Sequence, residues 1–210
     1  MNETSMPEAA LVMYGVFLAL AFGLRSAVHW RRTGTTGFVL PSPNTQLAER
    51  VGGVLFVGAI VGGGLAPLLQ RRAVLVPLAT LDGPISHAIG MACMIAGVVG
   101  TVWAQFSMGE SWRVGVDPTA HTALVARGPF RWVRNPIYTN MLLASVGLTL
   151  MVPNIVALVT LVVMLVGLEL QVRWVEEPYL VRTHGDDYRG YAAATGRFLP
   201  GVGRGRRGVA

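Results

Sequence analysis

Lysine is absent from this chain of 210 residues, and charge of either sign is scarce. Charged residues make up 13% of the sequence, about half the ~25% of an average soluble domain. Cysteine occurs once, as Cys93, which excludes an internal disulfide. With 52% hydrophobic residues and a mean hydropathy of +0.52, the composition excludes a disordered chain, a coiled coil and a water-soluble globule. It predicts a chain dissolved in lipid.

The N-terminal residues lack basic side chains. The stretch MNETSMPE carries two Glu and no Arg, the opposite of the positively charged start of a secretory signal peptide. We therefore expect the first apolar segment to remain as a membrane anchor. Cys93 lies inside a later apolar segment, where a single thiol is typically a small packing residue.

Five apolar stretches are long enough, or nearly long enough, to cross a bilayer, which takes roughly 17–25 residues. They predict an all-α integral membrane protein with helices over residues 9–28, 51–69, 85–106, 137–152 and 154–172. The fourth is short and is separated from the fifth by little more than Pro153, so these two are predicted to form a tight helical hairpin. The 73–81 segment contains Pro77 and is too short to span. It indicates an interfacial or re-entrant piece, or a kinked extension of a neighbouring helix.

Arginine is distributed unevenly between the two sides of the membrane. With five spans, fifteen of the 17 Arg residues fall in the first loop, the third loop and the C-terminal region, flanking helix ends included. The other two, Arg71 and Arg72, fall in the second loop. Because basic loops stay in the cytoplasm, this pattern predicts an outside N-terminus and a cytoplasmic C-terminus. The basic pI of about 10.4 is thereby explained without a nucleic-acid partner.

Ionisable residues are rare within the predicted spans. His87 lies near the start of the third, and Glu169 and Arg173 lie four residues apart near the end of the fifth, where they can pair. This pattern lacks the mid-span polar residues of an ion pathway. Small residues spaced four apart predict close helix packing in lipid. They are Gly15, Ala19 and Gly23; Gly58 and Gly62; and Ala92, Ala96 and Gly100.

Polar and aromatic residues concentrate in two predicted cytoplasmic segments, of which the first is residues 107–138. Asn135 and Pro136 are typical of a helix start, with Asn as N-cap and Pro at the first helical position. The N–H groups of that first turn would suit an anionic group. Arg134 adds a forked donor for a carboxylate, and Tyr138 adds a ring and a hydroxyl. An ordinary capped helix, with Arg134 facing lipid headgroups, is equally compatible with these residues.

The second segment follows the fifth span and carries Glu176 and Glu177. Two acids at a helix C-terminus oppose the helix dipole, which favours a role for one of them in binding a cation such as an ammonium group. The alternative is a solvated helix face on which Arg173 compensates the charge. Gly185, followed by two Asp, predicts a new helix start. His184 is close by, but no second ligand cluster supports a metal site.

Together these segments contain an ordered series of short motifs across roughly residues 100–200. The series is Leu124-Val125, Gly128-Pro129-Phe130, Arg134-Asn135-Pro136-Ile137-Tyr138, Glu176-Glu177, Gly185-Asp186-Asp187-Tyr188 with Tyr191, and Phe198-Leu199-Pro200. In order and spacing it resembles the isoprenylcysteine carboxyl methyltransferase family of small membrane methyltransferases, to which the phospholipid N-methyltransferases are related. The first two spans match this family as generic membrane helices.

The resemblance implies S-adenosylmethionine as cofactor and S-adenosylhomocysteine as product, with a pocket on the cytoplasmic side beside the hairpin. The implied reaction is in-line methyl transfer, which depends mainly on alignment and on a dry pocket. No metal is expected. The cofactor contacts implied by the resemblance are Leu124, Val125, Gly128, Pro129, Phe130, Arg134, Asn135, Pro136, Tyr138 and Glu176.

The resemblance also implies substrate or cofactor contacts for Arg173 and Glu177, which we take as the candidate catalytic residues. A carboxylate or thiolate acceptor needs no general base, whereas an amine or hydroxyl does, and Glu177 is then the nearest candidate. Asn135 stands where the best-known members have His, and Asn cannot titrate. With the all-Arg, prokaryote-like composition, this favours a lipid, isoprenoid or small hydrophobic acceptor in a prokaryotic plasma membrane.

Two other functions share features with the sequence. NADPH-dependent sterol-type reductases have a similar Arg-His-Pro-x-Tyr block but typically continue it with Gly-Glu, where this chain has Thr139-Asn140. The other is a non-enzymatic small membrane transporter or assembly subunit. In the methyltransferase interpretation the chain divides into N-terminal helices over residues 1–104 and a catalytic region over 105–200. A Gly/Arg-rich tail over 201–210 is predicted to be disordered.

Overall fold

The computed structural model describes residues 5–38, 47–115 and 123–205, and their regular structure is helical. In chain order the helices are α1 (Ser5–Leu18), α2 (Arg25–Thr33), α3 (Leu47–Arg71), α4 (Pro84–Met108), α5 (Pro136–Met151), α6 (Ile155–Leu170) and α7 (Glu177–Ala194). The π-helical turn Ala19–Leu24 joins α1 to α2, and the π-helical turn Gln171–Glu176 joins α6 to α7. The predicted all-α class is confirmed.

Four helical stretches are long and apolar enough to cross a membrane. They are Met6–Thr33, Leu47–Arg71, Pro84–Ser111 and Ile155–Ala194. Helix α5 is also apolar but has 16 residues, in agreement with the short fourth segment predicted. Three residues separate α5 from α6, so the two form the expected hairpin. Each predicted apolar segment therefore corresponds to a helix, four of them of spanning length.

The last helix does not end at residue 172, where the sequence predicted the end of the fifth span. It continues through the π-helical turn into α7 and is interrupted at Gly185, whose φ of 53° and ψ of −125° are not helical. The predicted helix start after Gly185 is confirmed. Glu176 lies 21 residues after Ile155, about 32 Å along the helix, close to the ~30 Å thickness of the hydrocarbon core. Glu176 and Glu177 are thus in mid-helix, and the dipole argument for a helix end is wrong.

Helices α4 and α5 approach each other at glycine. A Cβ built on Gly97 would lie 2.5 Å from the backbone nitrogen of Ala144 and 2.7 Å from the carbonyl oxygen of Asn140. Of the predicted small-residue positions, Gly62 and Gly100 also face close neighbours, so the packing prediction holds there. Others have open space around them and face outward, which corrects the prediction. These are Gly15, Gly23 and Gly58.

A buried asparagine fastens the α5–α6 hairpin to α3. The Asn154 side chain accepts a hydrogen bond of 3.0 Å from the Ala157 N–H and so caps α6. Its Nδ2 donates to the Ala66 carbonyl at 3.2 Å and to Gln70 Oε1 at 2.8 Å. Since every polar atom of this amide is paired with α3 or α6, Asn154 fixes the position of the hairpin turn.

The 73–81 segment lies against the same hairpin turn. It forms turns rather than a helix, so its interpretation as a helix extension is wrong. The Leu78 N–H donates to the Pro153 carbonyl at 2.6 Å. At the start of α4, His87 pairs with Asp82 at 2.8 Å and so closes this connection.

Tryptophan marks one end of the helix bundle. Trp30, Trp103, Trp132 and Trp174 are 48–61% exposed, and all four lie at the end where α2 and α4 finish and α5 begins. Trp103 and Trp132 form an edge contact with ring centroids 5.8 Å apart, and the Arg131 guanidinium lies over the Trp132 ring. Exposed Trp beside Arg is typical of the membrane–water interface. We therefore take this end as an interfacial one.

Candidate active site

A cavity of about 440 Å³ lies at the Trp-bearing end of the bundle, within the usual size range of small-molecule sites. Both halves of the chain contribute to its lining. The C-terminal half supplies a polar wall that comprises Asn135, Tyr138, Gln171, Glu176, Tyr188 and Tyr191. The N-terminal half supplies an apolar wall that comprises Phe22, Phe56, Val57, Met108 and Trp112.

Glu176 is the carboxylate of the polar wall. It accepts a hydrogen bond from the Tyr138 hydroxyl and a longer one, 3.5 Å, from Gln171 Nε2. Hydrogen bonding in the π-helical turn runs from residue i to i+5, which stacks residues five apart and so aligns Gln171 with Glu176. Both donors are neutral, so neither balances the charge that this carboxylate carries when ionised, and the group is suited to a cationic partner such as an ammonium.

Behind Glu176, its neighbour Glu177 is the centre of an ion-pair cluster. Arg134 Nη2 donates to Glu177 Oε1 at 2.7 Å, and Arg197 donates through Nε and Nη2 to the two carboxylate oxygens at 2.8 Å each. The Arg134 side chain is 2% exposed. The hydrogen bonds to Glu177 raise the pKa of the Arg197 guanidinium above its usual range. Both carboxylate oxygens of Glu177 are thus held by guanidinium groups. We call this cluster of Glu177, Arg134 and Arg197 the clamp.

The clamp fastens the segment after α7 to the start of α5. Backbone hydrogen bonds run from the Arg134 N–H to the Gly196 carbonyl (2.8 Å) and from the Asn135 N–H to the Arg197 carbonyl (3.1 Å). The Arg134 guanidinium reinforces them by donating to three more carbonyls, one in the last turn of α7 and two in that segment. These belong to Ala192 (3.0 Å), Thr195 and Gly203 (3.0 Å). Residues 195–203 thus close the polar wall, and we call them the closing segment.

The beginning of the C-terminal tail takes part in this closure. The Gly205 N–H donates to the Ala192 carbonyl at 2.8 Å, and the Gly203 carbonyl accepts from Arg134 at 3.0 Å. Disorder was predicted for 201–210, and for 201–205 this is wrong. The remaining residues, 206–210, lie outside the described residues.

Asn135 occupies the N-cap position of α5, followed by Pro136 at the first helical position, as the sequence predicts. Its side chain makes no capping hydrogen bond, however. Asn135 Nδ2 instead donates to the Arg197 carbonyl at 3.2 Å. The capping role is therefore wrong, and Asn135 is a further tie to the closing segment.

Most of the predicted cofactor contacts lie around the cavity. Gly128 and Pro129 belong to the 3-10 turn Gly128–Arg131, and the φ of +58° at residue 128 favours glycine there. The two residues position Phe130 but do not line the cavity themselves. The Phe130 carbonyl accepts a hydrogen bond of 2.6 Å from the Tyr191 hydroxyl. The predicted contacts that line the cavity are Leu124, Val125, Phe130, Arg134, Asn135, Pro136, Tyr138 and Glu176.

The two candidate catalytic residues are not among the lining residues. Arg173 is exposed and pairs with Glu169 one turn earlier, which confirms the predicted pair. Glu177 is held by the clamp. Neither side chain lines the cavity, and a catalytic role for either of them stays a prediction.

Sequence reasoning missed several residues of the site. Gln171 lies five residues before Glu176, a spacing that separates their side chains on an α-helix, so the π-helical turn had to be seen first. Arg197 precedes the Phe198-Leu199-Pro200 motif and carries no periodic signal of its own. Phe22, in the other π-helical turn, is one of the apolar-wall residues that a sequence cannot distinguish from lipid-facing ones.

A known protein family is similar in sequence to part of this chain. The family model for phospholipid methyltransferase matches residues 85–187, which include both Tyr138 and Glu176. The predicted resemblance to the membrane methyltransferases is confirmed. No curated protein sequence matches the chain.

Among solved structures, the chain is similar to the eukaryotic intramembrane Ras methyltransferase, isoprenylcysteine carboxyl methyltransferase. The TM-score is 0.60 and the identity 16%, and the match covers 94% of this chain and 69% of that one. At this identity the likeness shows the shared fold. It extends over the N-terminal helices, which lie outside the family-model match.

Proposed function

We propose that this membrane protein is an S-adenosylmethionine-dependent methyltransferase that acts on a lipophilic acceptor. The observation that carries the proposal is the Glu176 carboxylate, which receives hydrogen bonds from two neutral donors in a cavity that also has an apolar wall. Such a site suits a cationic cofactor and a hydrophobic acceptor held side by side.

The polar wall fits the functional groups of the cofactor. Glu176 matches the ammonium group, and the first-turn N–H groups of α5 match the carboxylate. Tyr188 and Tyr191, whose rings form an edge contact, offer aromatic surface for the adenine. When bound, S-adenosylmethionine supplies a methyl group activated on a positively charged sulfur. Arg134 is already engaged in the clamp, so we assign the cofactor carboxylate to the helix start instead.

The apolar wall extends to the outer surface of α3. Gly53 and Val57, one turn apart, line the cavity and are both exposed, Val57 by 61%. Because α3 is of spanning length and apolar, its exposed face belongs in hydrocarbon. We propose that the acceptor enters from the bilayer beside α3 and brings its reactive group into the cavity.

The chain's own residues then bind and align the reactants. Tyr138 holds the direction of the Glu176 carboxylate, and the apolar wall keeps water away from the methyl donor. Alignment of donor and acceptor accounts for most of the acceleration in this chemistry. We assign Glu177 and Arg134 to positioning, because their clamp holds the closing segment on the polar wall.

We further propose that the cavity faces the cytoplasm and the N-terminus lies outside. The support is the coincidence of the cavity with the Trp-bearing end, which also carries most of the arginines. Protease access to N-terminal and C-terminal tags in sealed vesicles tests this orientation. Cleavage of both tags from the same side would contradict it.

Transfer of a labelled methyl group tests the proposed activity. The purified protein is incubated with methyl-labelled S-adenosylmethionine and a membrane lipid extract, and we expect label in the organic phase. NADPH oxidation with a sterol-like substrate, without methyl transfer, would favour a reductase. Failure to bind or turn over either cofactor would favour a non-enzymatic membrane subunit.

A further inference from the structure

A buried arginine lies beside the apolar wall. Arg25, in the first turn of α2, is 2% exposed, and within the described ranges no carboxylate forms an ion pair with it. A charged side chain in a spanning helical stretch is costly to bury and is usually retained for a function. Arg25 does not line the cavity itself, so its function depends on the groups that it contacts.

The Arg25 guanidinium lies over two aromatic rings. Its Cζ is 4.6 Å from the ring centroid of Trp112 and 5.4 Å from that of Phe106. A cation over an aromatic ring is stabilised most when both are shielded from water, as Arg25 and Trp112 are. Nη2 also donates a hydrogen bond to the carbonyl of Gly109, the residue that follows α4. These contacts join α2 to the end of α4 and to the turn after it.

Trp112 extends this contact to the cavity. It belongs to the apolar wall and is 2% exposed, in contrast to the four Trp residues of the interfacial end. The His29 ring makes an edge contact with it, with centroids 5.6 Å apart, and a Cβ built on Gly37 would lie 2.6 Å from a carbon of the indole. The indole is thus enclosed by α2 and the segment after it, with Arg25 as its charged neighbour.

We propose that Arg25 is a positioning residue for the acceptor, because it holds the Trp112 ring in the apolar wall that receives the hydrocarbon part of the acceptor. This inference rests on the function proposed above and gives the N-terminal helices, which lie outside the family-model match, a part in acceptor binding. Arg25 touches neither reactant. It raises the fraction of molecules in which the wall is formed, and the apparent affinity of a ligand is proportional to that fraction.

Loss of the Arg25 charge is expected to affect the two walls of the cavity unequally. In the polar wall, Glu176 is held by Tyr138 and Gln171, and neither of these residues contacts Arg25. Binding of S-adenosylhomocysteine should therefore persist while binding at the apolar wall weakens. A residue that served folding alone would alter both.

The fluorescence of Trp112 measures binding at the apolar wall. Replacement of the four exposed Trp residues by Phe leaves Trp112 as the single indole of the parent protein for this test. The parent protein is titrated in detergent with 12-bromododecan-1-ol, whose bromine quenches indole at close range, and with dodecan-1-ol as the control without bromine. The titration is run with and without S-adenosylhomocysteine, whose own affinity is measured by isothermal calorimetry. Saturable quenching of Trp112 by the brominated probe is expected.

Four substitutions separate the cation from general disturbance. Arg25→Met and Arg25→Gln both remove the charge, and Gln keeps a hydrogen-bond donor. Each is expected to weaken probe binding roughly threefold to tenfold, the effect of losing a shielded cation–π contact, and to lower the fluorescence anisotropy of Trp112. The affinity for S-adenosylhomocysteine is expected to change by less than about twofold, since sites without shared contacts are nearly independent. Arg25→Lys keeps the cation and should recover most of the probe affinity. Arg31→Met, at an exposed position of the same helix, should match the parent protein.

The inference would be overturned by absence of saturable quenching in the parent protein, or by unchanged probe affinity in Arg25→Met and Arg25→Gln. Equal losses of probe and S-adenosylhomocysteine affinity would also overturn it, as would the same loss in Arg31→Met. If Arg25→Met does not fold, Arg25→Gln and Arg25→Lys decide. Failure of the proposed function is distinguishable, because it would appear as absence of S-adenosylhomocysteine binding by the wild-type protein, whereas probe quenching is measured without that ligand as well.

Discussion

Arg134 is expected to stabilise the contact between the closing segment and the start of α5 far more than the exposed Arg189 of α7 does. The change is Arg134→Met, which keeps the length of the side chain and removes the guanidinium. It breaks the 2.7 Å contact with Glu177 and the hydrogen bonds to the Ala192 carbonyl of α7 and to two carbonyls of the closing segment. The backbone bonds from the start of α5 to residues 196–197, the Asn135 amide and the Arg197–Glu177 pair would then hold that segment.

The magnitude follows from the burial of the pair. Truncating one partner of a buried ion pair costs about 3–5 kcal/mol. Arg197 still neutralises Glu177, which lowers the cost of breaking the ion pair. The loss of three hydrogen bonds to carbonyls adds about 1 kcal/mol for each bond and brings the total back to that range. We therefore expect the opening free energy of the closing segment to fall by about 3–5 kcal/mol, or two to three and a half orders of magnitude in the opening equilibrium.

Hydrogen exchange in detergent measures this opening. The informative amides are those of residue 134 and Asn135, which donate to the carbonyls of Gly196 and Arg197 and so join the closing segment to the start of α5. The matched control is Arg189→Met, which removes an exposed pair with Asp186 and is expected to change protection by less than ~1 kcal/mol. Equal protection in Arg134→Met and the wild-type protein would refute the clamp.

Two further predictions concern packing and capping. Gly97→Ala is expected to lower the free energy of unfolding by about 1–3 kcal/mol, because its Cβ meets backbone atoms of α5, whereas Gly58→Ala, with open space around it, should be neutral or slightly stabilising. Thermal unfolding of both variants in detergent checks this, and an equal effect of the two would contradict it. Asn154→Ala is expected to cost about 2–4 kcal/mol, since it removes the α6 cap and leaves Gln70 unpaired. A melting temperature unchanged from the wild-type value would count against this role.

The sequence predicted the helices well because lipid imposes a simple constraint on it. A spanning helix needs a long apolar run, and this requirement appears directly in the composition of each segment. The Asn135-Pro136 start of α5 and the break at Gly185 were also predictable, since both depend on local backbone chemistry. Short motifs located the polar wall for the same reason: each is contiguous in sequence.

Features that arise from contacts distant in sequence could not be predicted. The pairing of Glu177 with Arg134 and Arg197 joins three chain segments, and no periodicity relates them. The π-helical turns that present Gln171 to Glu176 and Ala21 to Gln105 arise from packing and leave no pattern in the apolar runs. For this reason the sequence suggested Glu177 as a candidate base, whereas in the structure both of its carboxylate oxygens accept hydrogen bonds from Arg134 and Arg197.

Binding of S-adenosylhomocysteine to paired Glu→Gln variants tests the central claim most directly. Glu176→Gln removes the cavity carboxylate, and Glu169→Gln removes an exposed carboxylate of the same helix that pairs with Arg173 outside the cavity. Isothermal calorimetry in detergent is expected to show binding by the wild-type protein and by Glu169→Gln. In Glu176→Gln a loss of about 1.5–3 kcal/mol is expected for one charged hydrogen bond, or roughly a 10- to 150-fold weaker Kd. Equal affinity in the two variants, or no binding by the wild-type protein, would contradict the account.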